Sequence, residues 1–313
     1  LFTQIRTIAF TLKQLISFGI PSHILYFGDS LGDNLLLTTL AANLHHQGYK
    51  NVWVKCNHRF LFEGCPHIKL VLPFGTLLST PILALFKVRT VLPQYTTYNP
   101  QTDRDDVPEK HIILKMADAL PLNGTIKNKP VLILSDEEIA KGALAKNHVV
   151  ITCSTSGAVV PMGNKEWITE RYQQVVNTLH RQYKFIQLGT ANDPKLDNVT
   201  DMRGKLSVRE SAAVLKNSQL VITHVGFMMH LARAVDSRAV IIYGGRETPS
   251  QSGYGCFRNI YNAVPCSPCW LHNKCDFEKR CMTEITPEMV TDAALKELDL
   301  YGTPLPVDEL LNA

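Results

Sequence analysis

The chain has 313 residues, long for one hydrophobic core and comfortable for two domains of about 150. Hydrophobic residues make up 45% and charged residues 19% of it, an ordinary globular balance. The net charge of +4 argues against a nucleic-acid binder, which shows a strong basic stripe, and suits an anionic substrate or an anionic membrane surface.

No stretch reaches the roughly 18 uninterrupted apolar residues of a spanning helix. The opening segment, LFTQIRTIAFTLKQLISFGI, comes closest, but Arg6 and Lys13 interrupt it. Phe2, Ile5, Ile8, Leu12, Leu15 and Ile16 fall at helical spacing on one face. Three readings stay open: a surface helix packed on the first domain, an interfacial helix at the periphery of the inner membrane, or a leftover targeting segment. The chain opens on Leu1 and not Met, so a native start upstream is expected.

His23–Gly28 is a short apolar run ending in glycine, a buried parallel strand, and Asn34–His45 follows with helical periodicity. Val52–Cys56 and Lys69–Leu72 read as the next strands, and Thr96–Glu109 as a long polar loop, of the kind that is usually functional or mobile. Pro130–Ser135 is either the last strand of the first domain or part of a crossing segment. Asp136–Asn147 reads as a helix, and His148–Cys153 as the first strand of a second series. Trp167–Tyr183 is an amphipathic helix, Lys184–Leu188 a strand, and Ser207–Glu210 a capping box opening a helix through Lys216. Leu220–Thr223 and Ala239–Tyr243 are strands around a helix starting near Phe227. Thr286 and Pro287 open the last helix. The alternation predicts two doubly wound α/β domains, residues 1–140 and 141–313.

In such folds ligands bind at the carboxyl ends of strands, which selects three turns. The first, Gly28 to Asn34, carries Asp29 and Asp33, with Asp33 placed at a helix start where the dipole keeps it ionised. The alternative is a helix cap plus a turn aspartate. The second, Cys153-Ser154-Thr155-Ser156, with Lys165 further on, offers small hydroxyls, backbone N–H groups and a point charge to phosphate oxygens. The plainer reading is a polar loop with a solvated lysine. The third runs from Thr223 to Ala234. There Gly226 permits close backbone approach, the next helix start suits an anion, and His230 is either a ligand-facing group or a satisfied core histidine. Four of the eight cysteines, Cys266, Cys269, Cys275 and Cys281, have spacings that suit one structural zinc or iron ion, with disulfides or free thiols as the alternative.

Together these segments resemble glycosyltransferase family 9, the ADP-heptose:lipopolysaccharide heptosyltransferases, over roughly residues 23–292. The resemblance rests on Ser30-Leu31-Gly32-Asp33, Arg59 to Ile68, Lys165-x-Trp167, Asp201 to Glu210, Gly226 to Ala234 followed by Val240 to Gly245, and the late cysteines with Ile285 to Val290. It implies a GT-B fold, two Rossmann-like domains facing across a cleft, with the acceptor on the N-terminal domain and the nucleotide sugar on the C-terminal one. It also implies inverting transfer without a catalytic metal or other cofactor, in the cytoplasm. By that resemblance Asp33 is the general base and Lys165 assists at the donor phosphates. Ser154, Thr155, Ser156, His224, Val225, Gly226, Phe227, Met228 and His230 line the donor, and Gly32, Lys55 and Arg59 meet the acceptor.

The chain departs from the family where an Asp usually precedes the third turn, here His224-Val225, and where Gly-Pro-Thr usually follows the next strand, here Gly244-Gly245-Arg246-Glu247. ADP-heptose is therefore the family default, with another nucleotide sugar as the alternative. The acceptor is expected to be a hydroxyl of a surface glycan or lipopolysaccharide core. The four-cysteine finger is similar to that of the autotransporter heptosyltransferases, which makes a protein acceptor the alternative. A degenerate, non-catalytic sugar-nucleotide binder is the non-enzymatic reading.

Overall fold

The computed structural model describes residues 2–306 and 310–312; for Phe2 only the backbone is described, so its place on the expected apolar face lies outside the described side chains, as does Leu1 altogether. The chain divides into two compact units. The first comprises Leu1–Tyr95, Ile113–Ile133 and Leu310–Ala313; the second comprises Thr96–Ile112 and Leu134–Glu309.

The first unit opens with helix α1 (Phe2–Phe18), followed by β1 (His23–Tyr26), α2 (Leu31–His46), β2 (Val52–Lys55), β3 (Ile68–Leu72), α3 (Thr80–Leu85) and β4 (Arg89–Val91). The four strands form a parallel sheet in the order β3-β2-β1-β4. Ile24, Leu25, Val52, Trp53 and Val54 are fully buried, as expected for parallel strands covered on both faces. Chain order reverses between β1 and β4, so the loops leaving these two strands flank the switch point. A short antiparallel pair, Thr125–Lys127 with Leu310–Asn312, completes the unit.

The second unit runs α4 (Asp136–Lys141), β5 (His148–Ile151), α5 (Thr169–Leu179), β6 (Lys184–Gln187), β7 (Thr200–Asp201), α6 (Val208–Asn217), β8 (Leu220–His224), α7 (Phe227–Ala234), β9 (Ala239–Tyr243), β10 (Arg258–Tyr261) and α8 (Pro287–Asp299). Its six parallel strands lie in the order β7-β6-β5-β8-β9-β10. Counted within the unit this is 3-2-1-4-5-6, the doubly wound arrangement of nucleotide-binding sheets, with its switch point between β5 and β8. The capping boxes at Ser135 and Ser207 start α4 and α6, each satisfying two otherwise orphaned backbone donors.

The structure revises several local expectations. Pro130–Ser135 is neither strand nor helix, because Pro130 and the link between the units interrupt any ladder. The Asp136–Asn147 helix stops at Lys141 and continues as a 3-10 turn, Gly142–Ala145. A Cβ at Gly142 would lie 2.2 Å from the Ala213 carbonyl oxygen, so the chain presses too closely on α6 for a larger residue. The loop Thr96–Glu109 folds into a small hairpin, Tyr98–Asn99 with Arg104–Asp105, and groups with the second unit. In α1 the packed residues are Thr11 and Leu15, while Ile5, Ile8, Leu12 and Ile16 stay exposed. Of the expected apolar face, Leu15 packs inward while the other described side chains point outward.

Candidate functional site

In the first unit, the turn leaving β1 is built by Asn34. Its buried amide donates to the carbonyls of Gly28 at 2.6 Å and Ser30 at 2.8 Å, locking the loop that α2 begins from. Ser30 caps α2 and accepts from the Asp33 backbone N–H at 3.4 Å. Asp33 is thereby the third residue of the helix, half-buried, with its carboxylate near the positive end of the dipole. Tyr95, at the exit of β4 on the other side of the switch point, donates its hydroxyl to Asp33 Oδ1 at 3.0 Å and stacks on Phe27. That partner could not be read from sequence, because the residues are 62 apart. Asp29 is exposed and meets Asn57 and His58 instead.

Gly32 follows in the same first turn of α2. Lys55 ends β2, with its ammonium 5.8 Å from the centroid of the Tyr26 ring and burial pulling its pKa down. Arg59 lies exposed on the short helix Arg59–Leu61.

In the second unit, the expected donor residues converge at the carboxyl ends of β5, β8 and β9. Thr152, just past β5, and Thr223, in β8, share a buried hydroxyl contact of 2.5 Å across the switch point. Beyond it, Gly226 opens α7 with φ +152, and a side chain added there would meet nothing within 4 Å. The space beside Gly226 at the start of α7 is open, a position that suits an anion. Phe227 and Met228 are half-buried and Val225 is buried. Met229 packs, with its sulfur 3.1 Å from the Tyr243 hydroxyl.

His230 is buried, its Nδ1 2.7 Å from the Tyr254 hydroxyl, and burial brings its pKa down to about 3. His224 is lowered to about 4, again mainly by burial, and its Nδ1 has no hydrogen-bond partner. Both rings are neutral near pH 7, so they act there as hydrogen-bonding groups and not as cations.

The cation of the site is Lys165, at the end of the short helix Gly163–Lys165. It is not solvated, as the plainer reading expected. Its ammonium is 2.7 Å from Glu247, on the loop leaving β9, and Glu247 also accepts from Arg246 at 3.0 Å. Burial alone would raise the Glu247 carboxyl, but Lys165 and Arg246 outweigh it and bring it down to about 2. Arg246 is itself paired with Asp105, lies 4.6 Å from the Trp270 ring centroid, and shares Asp105 with His272 at 2.8 Å.

Ser154, Thr155 and Ser156 are present at the turn, yet their donors are engaged. Glu166 Oε1 accepts from Ser154 Oγ at 3.1 Å, Thr155 N at 2.6 Å and Thr155 Oγ1 at 2.8 Å, while Ser156 Oγ donates to Asp193 at 2.6 Å. Two carboxylates that spacing did not single out, Glu166 and Asp193, accept from these groups in the structure.

The segment holding the four cysteines is stitched to this site through its backbone. Cys269 N donates to Gly245 O at 2.8 Å, Trp270 N to Arg246 O at 2.9 Å, and Asn164 N to His272 O at 3.0 Å. Burial raises the Cys269 and Cys281 thiols, with smaller contributions from the neighbouring cysteines. All four are free thiols, and among the described residues no group of three or more His, Cys, Asp or Glu side chains is arranged to hold a metal ion. Cys266, Cys269, Cys275 and Cys281 lie near enough to one another to influence each other's thiols.

The family model of glycosyltransferase family 9 (heptosyltransferase) matches residues 125–279, a stretch that contains every donor-side residue above. The chain belongs to glycosyltransferase family 9. Asp33 and Cys281 lie outside the matched stretch. Among solved structures, the family 9 glycosyltransferase of Veillonella parvula matches with a TM-score of 0.67 at 16% identity, covering 88% of this chain and 97% of that one. The ADP-heptose lipopolysaccharide heptosyltransferase II of E. coli matches with a TM-score of 0.64 at 13% identity, covering 88% and 98%. The iron-containing dodecameric glycosyltransferase TibC of enterotoxigenic E. coli matches with a TM-score of 0.63 at 15% identity, covering 88% and 78%. At these identities the likeness establishes the fold, GT-B with two Rossmann-like domains. A search of curated proteins returned no match. As a family 9 member the protein is a glycosyltransferase.

Proposed function

We propose that this glycosyltransferase binds a nucleotide-activated sugar at the β5/β8 switch point of the second unit and transfers the sugar, with inversion, to a hydroxyl group. The observation that carries the reading is the juxtaposition there of Lys165, the open backbone at Gly226 and the first turn of α7. A nucleotide sugar brings a diphosphate, and more negative charge builds on it as the glycosidic bond breaks. Lys165 and the α7 N-terminus stabilise that charge more in the transition state than in the ground state. His224, Val225, Phe227, Met228 and His230 form the rest of the wall.

Asp33 takes the proton from the attacking hydroxyl. The acceptor oxygen forms its bond to the anomeric carbon as the bond from that carbon to the diphosphate oxygen breaks, and the nucleoside diphosphate leaves with the electron pair. Tyr95 orients the carboxylate by its hydrogen bond to Oδ1. Gly32, Lys55 and Arg59 are proposed on the acceptor side.

ADP-heptose is the donor that the family favours, and TibC has been seen in complex with ADP-D-β-D-heptose. A surface glycan or lipopolysaccharide-core hydroxyl is the proposed acceptor, and the cytoplasm the proposed compartment. A second reading, a protein acceptor, is favoured by the four-cysteine segment and the likeness to an iron-containing relative. Calorimetric titration with ADP, UDP and GDP, followed by turnover of the matching sugars with glycan and protein acceptors, tests both. Failure of every nucleotide to bind at millimolar concentration would sink the donor site.

A further inference from the structure

Lys165 and Glu166 are held between two anchored neighbours. On one side Asn164 is buried, and its side-chain amide donates to the carbonyls of Leu271 at 3.3 Å and Lys274 at 2.8 Å. On the other, Trp167 is buried with its indole N–H on the Ile285 carbonyl at 3.0 Å. From this fixed stretch the Lys165 ammonium reaches Glu247, and the Glu166 carboxylate reaches the turn leaving β5. Three carboxylates stand at this end of the sheet, and their oxygens are used differently. Asp193 accepts at Oδ1 from the hydroxyls of Ser156 and Thr190, and at Oδ2 from the Thr190 backbone N–H at 2.9 Å. Glu247 is buried against Lys165 and Arg246. Glu166 is half-buried and accepts three hydrogen bonds, all of them at Oε1, from Ser154 and Thr155. Among the described residues no protein donor reaches its Oε2. Burial lowers the His224 pKa and the Glu166 charge opposes that effect, so the carboxylate stands near the exits of both β5 and β8.

We propose that Glu166 is a specificity-determining residue of the donor site, its Oε2 accepting a hydroxyl group of the nucleotide sugar; this rests on the donor assignment made above. A diphosphate oxygen cannot be its partner, because near pH 7 that oxygen is itself a charged acceptor, drawn to Lys165 and repelled by Glu166. A carboxylate oxygen takes a proton donor, and a nucleotide sugar offers hydroxyls on its ribose and on the sugar to be transferred. With Oε1 fixed by three donors, little side-chain freedom is left to lose when Oε2 is engaged. A hydrogen bond to such a charged, pre-set acceptor discriminates strongly against an analogue that lacks the hydroxyl.

The test is calorimetric titration of the full chain with whichever of ADP, UDP and GDP the wild type binds, with the dideoxyribose analogue of that nucleotide, and with the matching ADP-heptose, UDP-glucose or GDP-mannose. Glu166→Gln keeps an oxygen for Ser154 and Thr155 but replaces Oε2 by an amide that donates. It should weaken binding of the ligand that carries the hydroxyl by about tenfold to a hundredfold. If the hydroxyl is on the ribose, the nucleoside diphosphate loses affinity and its dideoxyribose analogue does not. If it is on the transferred sugar, the diphosphate is unchanged and the nucleotide sugar loses affinity. Equal loss on all three ligands overturns the proposal, because a merely structural role moves them alike. So does no loss on any, or tighter binding of the diphosphate, which would make Glu166 a counter-anion of the phosphates. A wild type that binds none of the three diphosphates removes the donor reading itself, and this proposal with it. Circular dichroism and thermal melting check that the variant folds. Should it not fold, Glu166→Asp, which keeps the charge but draws it back by one methylene, must show the same ligand-selective loss, and a loss on all ligands alike again overturns the proposal.

Discussion

Glu247 sits where a donor phosphate would be expected to sit, against the Lys165 ammonium at 2.7 Å. The free site is therefore already neutralised: Lys165 and Arg246 are matched by Glu247 and Asp105. A diphosphate entering beside Lys165 meets the Glu247 carboxylate at about twice one ion-pair distance, near 5 Å. At an effective dielectric of about 20 that repulsion is about 3 kcal/mol per unit charge, and water reduces it to about half. Glu247→Gln keeps the size and the hydrogen bonding but removes the charge. The expected outcome is ADP binding tightened roughly tenfold or more, measured by calorimetric titration beside wild type. Adenosine, which carries no phosphate, should bind the two equally and so serves as the internal control. If the variant melts like wild type and binds ADP no more tightly, Glu247 is not the internal counter-anion of the diphosphate subsite and the reasoning fails.

Three further outcomes are expected. Asp33→Asn should lower turnover by about 10²–10⁴-fold, the usual range for loss of a general base, with nucleoside diphosphate binding little changed; near-normal turnover in a steady-state assay would remove Asp33 from the reaction. His224 and His230, held near 4 and 3, stay neutral in the folded chain but take up protons when it unfolds below the ordinary histidine value of about 6.5. Their folded values are depressed, so their contribution is complete above pH 6.5 and declines as the pH falls toward 4, by at most about 2 kcal/mol each at pH 5. Denaturant melts at pH 7 and 5 should show the loss, and a His224→Asn variant should show a shallower one. If the late cysteines bind zinc or iron, elemental analysis should find about one ion per chain, and Cys269→Ser should lower Tm along with nucleotide affinity, because Cys269 and Trp270 fix the loop that carries Glu247. A metal-free preparation with unchanged Tm would rule the ion out.

Periodicity and strand-end punctuation settle much of this protein before any coordinates. The apolar runs HILYFG, HVVITC and AVIIY demand buried parallel strands, because only strands covered on both faces are hydrophobic without alternation. The rule that ligands gather at strand exits then picked the turns holding Asp33, Ser154 and Gly226. Long-range contacts were out of reach, since nothing local encodes them. Tyr95 reaches Asp33 only because β4 pairs with β1. Glu247 meets Lys165 only because the exit of β9 and the helix Gly163–Lys165 come to the same edge of the sheet. The Ser154–Ser156 donors, free in sequence, are occupied by Glu166 and Asp193, and α1 shows its apolar stripe outward although its periodicity says only that a stripe exists. A hydrophobic pattern fixes which residues share a face. Which way that face turns, and which charge answers a given lysine, depends on the packing of elements far apart in the chain.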